Sequence, residues 1–299
     1  MYYSVYYMLT PRCLLNCGYC FRDTSSESLK SELSLADKKR VIKTLIEDLR
    51  VRKLTLSGGE PTIIGGVKLT QFLDLIAFIR EYKVKYPNLR VELLSNGILL
   101  EKNVLEAIKG VVNRITITLD AIDEEILRKI GRNTKEYASY IERFHKRIKD
   151  SVDLGFEMKL HSVITPVNYE HLEDLAKYIK ENNTDFKINR WKFYQYMTYD
   201  DPIKDAIYSI GDDDYLSITQ KLSELLRDTD IDVTFKNNEL MIDSMMNLMH
   251  DGCMENIVVH NNEKTLYRSK PIWEYRRIGD LIKDLRISMH DLEKYHGYE

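Results

Sequence analysis

Short β-type runs alternate with longer helical runs over the first two-thirds of the chain, and this rhythm constrains the fold more than any other feature. The strand-like runs are 2–9, 52–57, 90–95, 113–119, 157–164 and 188–195. Helical periodicity falls between them near 34–49, 69–84, 102–110, 135–152 and 169–182. Strand–helix alternation of this kind produces a parallel α/β sheet with right-handed crossovers. Six units are expected to curl into a partial (β/α)6 barrel of the TIM type, with its reactive face at the C-terminal ends of the strands. An open doubly wound sheet is the alternative.

Beyond residue 200 the pattern loosens. YDDPIKD reads as a loop, 213–228 as a helix opened by Asp212, Asp213 and Asp214, 231–235 as a strand and 238–249 as a Met-rich helix. Residues 250–299 are less regular, with a final helix expected near 287–295. No repeat or linker interrupts the chain. The expected organisation is a barrel core over 1–200 and an extension over 201–299 that packs on it and covers the substrate site.

The charge balance excludes some partners. Lysine and arginine total 44 against 47 acidic residues, a net charge of −3, so no global field favours nucleic acid or an anionic membrane. No apolar run approaches the roughly 18 residues of a membrane span. MYYSVYYML lacks a basic leading segment and reads as a strand rather than a signal peptide. Three of the four cysteines fall within eight residues, which suits a reducing cytoplasm better than a disulfide framework.

Those three are Cys13, Cys17 and Cys20, in a loop after the first strand. Four thiolates would saturate an iron–sulfur cubane, whereas three leave one iron open. A structural zinc site normally takes four ligands in paired spacing, which His161 or Cys253 would have to complete from afar. Both metals remain open on spacing alone. Cys253 by itself is expected to be a packing residue.

The spacing, followed by Phe21, resembles the signature of the radical S-adenosylmethionine (SAM) superfamily. Three elements at strand ends are similar to others of that superfamily: Ser57-Gly58-Gly59-Glu60-Pro61, Ser95-Asn96-Gly97, and Thr116 to Asp120. The resemblance implies a [4Fe–4S] cluster on Cys13, Cys17 and Cys20. It also implies SAM held by Tyr19, Phe21, Gly58, Gly59, Glu60, Pro61, Ser95 and Asn96. Glu60 would take the SAM amino group. A flavodoxin- or ferredoxin-like protein would supply the electron that splits SAM into a 5′-deoxyadenosyl radical.

Alternation along the strands points to the substrate, because residues two apart share a face. Lys53, Lys159, His161, Arg190 and Lys192 fall on the polar faces of the second, fifth and sixth strands. If those faces line the barrel, four like charges converge, a costly arrangement that a phosphate-rich substrate would resolve. The alternative is that they point outward or pair with interior carboxylates.

The stretches NCGYCF, SGGEP, SNG, DEEILRKIGRN, KLHSVITPVN, RWKFYQ and NNELMIDSMMNLM, in this order, resemble the viperin family of antiviral nucleotide dehydratases. The resemblance implies conversion of a nucleoside triphosphate to its 3′-deoxy-3′,4′-didehydro form. Lys53, Lys159, His161, Arg190, Lys192 and Met245 would contact the nucleotide. His161 stands where that family carries asparagine, and Met245 where it carries tyrosine. The membrane-binding helix of the animal members is absent, so no membrane is expected as a partner, and the charge balance leaves nucleic acid unexpected too.

Overall fold

The protein is described from a computed structural model covering residues 3–66, 68–132, 139–198, 201–237, 246–260 and 263–287. Six strands stand side by side in chain order: β1 (Tyr3–Met8), β2 (Val51–Ser57), β3 (Arg90–Ser95), β4 (Arg114–Thr118), β5 (Glu157–Ile164) and β6 (Ile188–Gln195). All pair in parallel, as strand–helix alternation requires. The helices of the core are α1 (Ser26–Lys30), α2 (Leu35–Glu47), α3 (Thr70–Lys85), α4 (Lys102–Ile108), α5 (Glu124–Ile130), α6 (Tyr140–Asp153) and α7 (Leu172–Phe186). Ser34 caps α2 by accepting from the Asp37 backbone N–H, which fixes its start.

The two faces of the sheet differ in chemistry. Leu54, Leu56, Val91, Leu93, Ile115, Ile117, Met158, Leu160, Trp191 and Phe193 are buried in one continuous core with the helices. Their alternate neighbours Lys53, Thr55, Glu92, Arg114, Thr116, Lys159, His161 and Lys192 line the other face. An apolar outside and a polar inside are what a barrel needs, whereas an open doubly wound sheet needs helices on both faces. Tyr194 on β6 lies within electrostatic reach of Tyr6 on β1, although those strands do not pair. The row of strands therefore curls into a partial barrel without closing.

The C-terminal third continues the same sheet. Here α8 (Pro202–Tyr208) and α9 (Asp212–Leu226) lead to β7 (Asp232–Lys236), parallel to β6. At the opposite edge β8 (Met246–Leu248) pairs in parallel with β1. The antiparallel strands β9 (Cys253–His260) and β10 (Glu263–Pro271) follow it, and then α10 (Ile278–Asp284). The sheet order is β10-β9-β8-β1-β2-β3-β4-β5-β6-β7.

Three sequence expectations are corrected here. YDDPIKD is not all loop: Asp201 accepts from the backbone N–H groups of Ile203 and Lys204, and Pro202 opens α8 with its preset φ. Met246–Leu248, expected to be helical, is a strand whose Met246 and Leu248 are buried around an exposed Asn247, and pairing with β1 decides it. The irregular region from 250 contains a hairpin. The remainder of the Met-rich helix (238–245), with Met245, and the expected final helix beyond Ile287 lie outside the described residues. The acidic triplet Asp212, Asp213 and Asp214 opens α9, where it complements the helix dipole. No described helix is long and apolar enough to cross a membrane.

Candidate active site

The strand ends bring the expected segments together. After β2 the chain turns back on the cysteine loop: the Gly59 N–H donates to the Thr10 carbonyl and the Glu60 N–H to the Arg12 carbonyl, both at 2.7 Å. A Cβ on Gly59 would lie 2.2 Å from the Arg12 carbonyl oxygen, so only glycine permits this approach. Below it, Glu32, whose side chain is shielded from solvent, ties four groups together. It accepts from the Thr10 hydroxyl at 2.8 Å, Arg12 Nε at 3.0 Å, Lys38 Nζ at 3.1 Å and the Gly65 N–H at 3.1 Å. Sequence reasoning missed this brace, since no spacing rule joins Glu32 to Thr10, Arg12 or Gly65.

Glu60 is fully buried, and burial raises its pKa. Oε1 accepts from the Thr62 N–H (3.2 Å), the Thr62 hydroxyl (2.7 Å) and the Ser95 hydroxyl (2.9 Å). Oε2 accepts from the Asn96 N–H at 2.8 Å and again from Ser95 at 3.1 Å. A carboxylate offers about four acceptor sites, so Glu60 is filled by its own chain and locks the β2 and β3 ends together. Two of its donors are hydroxyls, which can rotate away from an incoming ammonium.

Asn96 continues the chain of contacts, its Nδ2 donating to Cys13 Sγ at 3.7 Å while the Leu15 N–H reaches the same sulfur at 3.4 Å. Cys13, Cys17 and Cys20 form no disulfide and are partly buried. Burial raises the pKa of Cys13 and pushes that of Cys17 up to about 12, with the Arg132 guanidinium opposing it at Cys17. Among the described residues no three His, Cys, Asp or Glu side chains stand as a preformed metal-ligating group. What the loop offers is the donor set: three thiols from one segment, two N–H groups on one sulfur and a cation beside another. That set suits an iron–sulfur cluster, whose sulfurs take such hydrogen bonds.

A second brace holds the loop from β4. Tyr19 turns inward, its hydroxyl donating to Asp120 Oδ2 at 2.6 Å, and Arg132 Nε meets the same oxygen at 2.7 Å. Arg132 also donates to the Tyr19 hydroxyl. Tyr140 relays the contact by donating to the Asn96 carbonyl at 2.8 Å. The end of α5 completes it: the Gly18 N–H donates to the Ile130 carbonyl at 2.8 Å and the Asn16 N–H to the Gly131 carbonyl at 3.2 Å. Gly131 has φ of +86°, and a Cβ there would lie 2.1 Å from the Asn16 carbonyl oxygen. Phe21, by contrast, is 57% exposed. Sequence reading placed Asp120 at the end of the fourth strand but gave Arg132 no chemistry.

The basic residues expected to converge do share the inner face, under different constraints. Lys53 Nζ is 3.6 Å from buried Glu92, which also takes Arg114 Nη1 at 3.0 Å and Arg90 Nε at 3.4 Å. Arg190 Nε is 2.7 Å from Asp232. Lys53 is thus paired with an interior carboxylate that it shares with two arginines, as the alternative reading had it, and Arg190 with an exposed carboxylate on β7. Lys159 and Lys192 have no ion pair with any described residue. Burial, then the charge of Lys192, pushes Lys159 down to about 7. Burial, then Lys236, brings Lys192 to about 8. His161 lies beside them with its pKa well below the usual 6.5, lowered by burial and by both lysines, and its Nε2 is 3.4 Å from the Tyr194 hydroxyl.

Such an arrangement, three cysteines at the mouth of a parallel half-barrel with a basic interior below, defines a radical enzyme of the SAM-dependent class. Residues 7–179 match the Radical SAM superfamily, and the chain belongs to it. The cofactors expected from the sequence, SAM and a [4Fe–4S] cluster, are those of that superfamily. A curated relative from Flammeovirga pacifica, an S-adenosylmethionine-dependent nucleotide dehydratase, is 25% identical over 80% of this chain and 79% of its own length. A GTP 3′,8-cyclase of Staphylococcus epidermidis is 27% identical over 64% of this chain and 57% of its own. A probable GTP 3′,8-cyclase of Methanothermobacter thermautotrophicus is 31% identical over 60% and 54%. The chain thus spans little more than half the length of these cyclases. Among solved structures, native anSMEcpe with bound AdoMet aligns over 98% of this chain and 82% of its own, with a TM-score of 0.67 at 16% identity. Streptococcus suis SuiB bound to S-adenosylmethionine aligns over 91% and 64%, with a TM-score of 0.64 at 16% identity. These likenesses establish the fold.

Proposed function

We propose that the chain is a SAM-dependent nucleotide dehydratase that converts a ribonucleoside triphosphate into its 3′-deoxy-3′,4′-didehydro form with loss of one water. The observation that carries this reading is the pair Lys159 and Lys192, one buried and one half-buried ammonium group on the inner face without a described carboxylate partner. Buried like charges are costly until an anion joins them. The dehydratase relative matched over 79% of its length gives that anion a chemical class.

In this reading Cys13, Cys17 and Cys20 hold the cluster, which with bound SAM supplies one-electron chemistry for removing hydrogen from an unactivated carbon. Gly58, Gly59 and Pro61 shape the backbone beside SAM, Glu60 turns its hydroxyl donors aside for the amino group, and Ser95 and Asn96 flank it. Tyr19 and Phe21 complete that wall. Lys53, Lys159, Arg190 and Lys192 hold the phosphates, with Met245 beside the base. His161 stays neutral and offers an imidazole that accepts at one nitrogen and donates at the other. Residues 201–299 cover the substrate. A flavodoxin- or ferredoxin-like donor in a reducing cytoplasm provides two electrons, one to split SAM and one that, with a proton, lets the 3′-hydroxyl leave the substrate radical as water; the product would act as an antiviral chain terminator.

The cyclase relatives favour a second reading, in which the same radical closes a bond within a guanine nucleotide. Anaerobic turnover of the reconstituted protein with each of the common ribonucleoside triphosphates, followed by mass analysis, separates the two. Loss of one water from a triphosphate is the expected result. A product that keeps its water supports cyclisation, and SAM consumption unchanged by every triphosphate rejects both.

A further inference from the structure

The inner face carries a rising diagonal of basic residues that crosses five neighbouring strands. Lys159 pairs in register with Arg190, and Lys192 lies one inner-face step above Arg190. Lys192 pairs with Thr234, and Lys236 lies one step above that. Downwards, Arg114 pairs with Glu157, one step below Lys159, and Arg90 precedes it on β3. Strands about 4.8 Å apart rising about 3.3 Å per residue put successive members roughly 8 Å apart, within reach of long side chains.

The diagonal is unevenly compensated. Its lower end is closed by carboxylates: Glu157 and Glu92 each bond both Arg90 and Arg114. Arg190, just below Lys192, is held by Asp232. Lys159, Lys192 and Lys236 form the upper end, and no described carboxylate pairs with any of them. Among neighbouring charges Lys236 weighs most on Lys192, so the two lie within electrostatic reach of one another.

We propose that Lys159, Lys192 and Lys236 form the track for the polyphosphate chain, with Lys236 of β7 as its terminal contact and Arg190 in a lesser role. This rests on the reading of the substrate as a nucleoside triphosphate and moves its phosphate site upward, onto a strand outside the six-unit core. Lys236 selects for chain length: a triphosphate reaches it and a monophosphate does not.

Inorganic tripolyphosphate tests the track without base, ribose or turnover. Titrated calorimetrically into the full-length, cluster-loaded protein, it is expected to bind, with K236Q weakening it about tenfold and K236R restoring most of the loss. R190Q should change it less than threefold, and orthophosphate should bind K236Q and the unsubstituted protein alike. Comparing the thermal melts of K236Q and K236R separates lost folding from lost charge. The inference is overturned if K236Q binds tripolyphosphate normally, if R190Q costs more than K236Q, or if the unsubstituted protein does not bind tripolyphosphate. Tripolyphosphate binding without nucleotide dehydration would reject the proposed reaction and leave the track standing.

Discussion

The Tyr19 hydroxyl donates to Asp120 Oδ2 at 2.6 Å and so fastens the cysteine loop to the end of β4. The same oxygen holds Arg132 at 2.7 Å, and both partners of that ion pair are buried. D120A removes the compensation for a buried guanidinium, which costs about 3–5 kcal/mol. Urea unfolding is expected to show that loss, and D120A/R132M to recover part of it. Equal stability of D120A and the unsubstituted protein would contradict the brace.

Iron and sulfide analysis after anaerobic reconstitution provides a second prediction. C13A, C17A and C20A should each lose most of the bound iron, whereas C253A should retain it. Cys253 lies on β9, in a hairpin at the far edge of the sheet. Iron lost from C253A as readily as from C17A would restore a four-cysteine site.

Lys159 near 7 and Lys192 near 8 make anion binding proton-linked. A bound phosphate favours the charged ammonium and raises both values, so binding takes up protons around pH 7–8 and weakens as pH rises through that window. Calorimetry in two buffers of different ionisation enthalpy should show the uptake. In the phosphate-free protein both lysines titrate below the unfolded value of about 10.4, so the unfolded chain binds more protons and stability rises between pH 7 and 10. A melting temperature that falls steadily over that range would oppose this.

At Glu60, alanine would strand the buried N–H groups of Asn96 and Thr62, at about 1–3 kcal/mol each. E60A should both unfold earlier and bind SAM poorly, as read by equilibrium dialysis. E60Q keeps an acceptor and should lose SAM affinity more than stability. Full SAM binding by E60A would remove Glu60 from the cofactor site.

For His161, asparagine preserves hydrogen bonding and removes the ring that meets Tyr194 edge-on at 5.0 Å. H161N should alter the ratio of kcat/KM between two nucleotides by about tenfold, one hydrogen bond's worth near 1.4 kcal/mol, with little change in tripolyphosphate affinity. An unchanged ratio with lost tripolyphosphate binding would make His161 a phosphate ligand instead.

The periodicity of the first 195 residues sufficed for six parallel strands and for the residues that face inward, because one face is apolar and the other polar throughout. It could not say which basic residues are paired with carboxylates. Glu92 and Asp232 sit on strands read for their hydrophobic pattern, and their partners come from tertiary register. Lys236 escaped notice because the expected strand ended one residue short, at 235. Arg132 follows a helix end and acquires meaning only through Asp120, which no spacing rule connects to it. The short β8 was hidden because methionines at 241, 245, 246 and 249 imitate a helical stripe, while a three-residue strand takes its identity from β1.

The placement of β8 against β1 bears on how the chain reaches this fold. Val5 to Tyr7 pair with Met246 to Leu248, so the first strand made is completed on its outer edge only after some 240 further residues exist. Until then β1 presents unpaired N–H and C=O groups along one side. So long a closure slows folding and leaves the nascent edge open to aggregation. Chains cut short before residue 246 should accumulate as insoluble protein even though every residue of the cysteine loop and its braces is present.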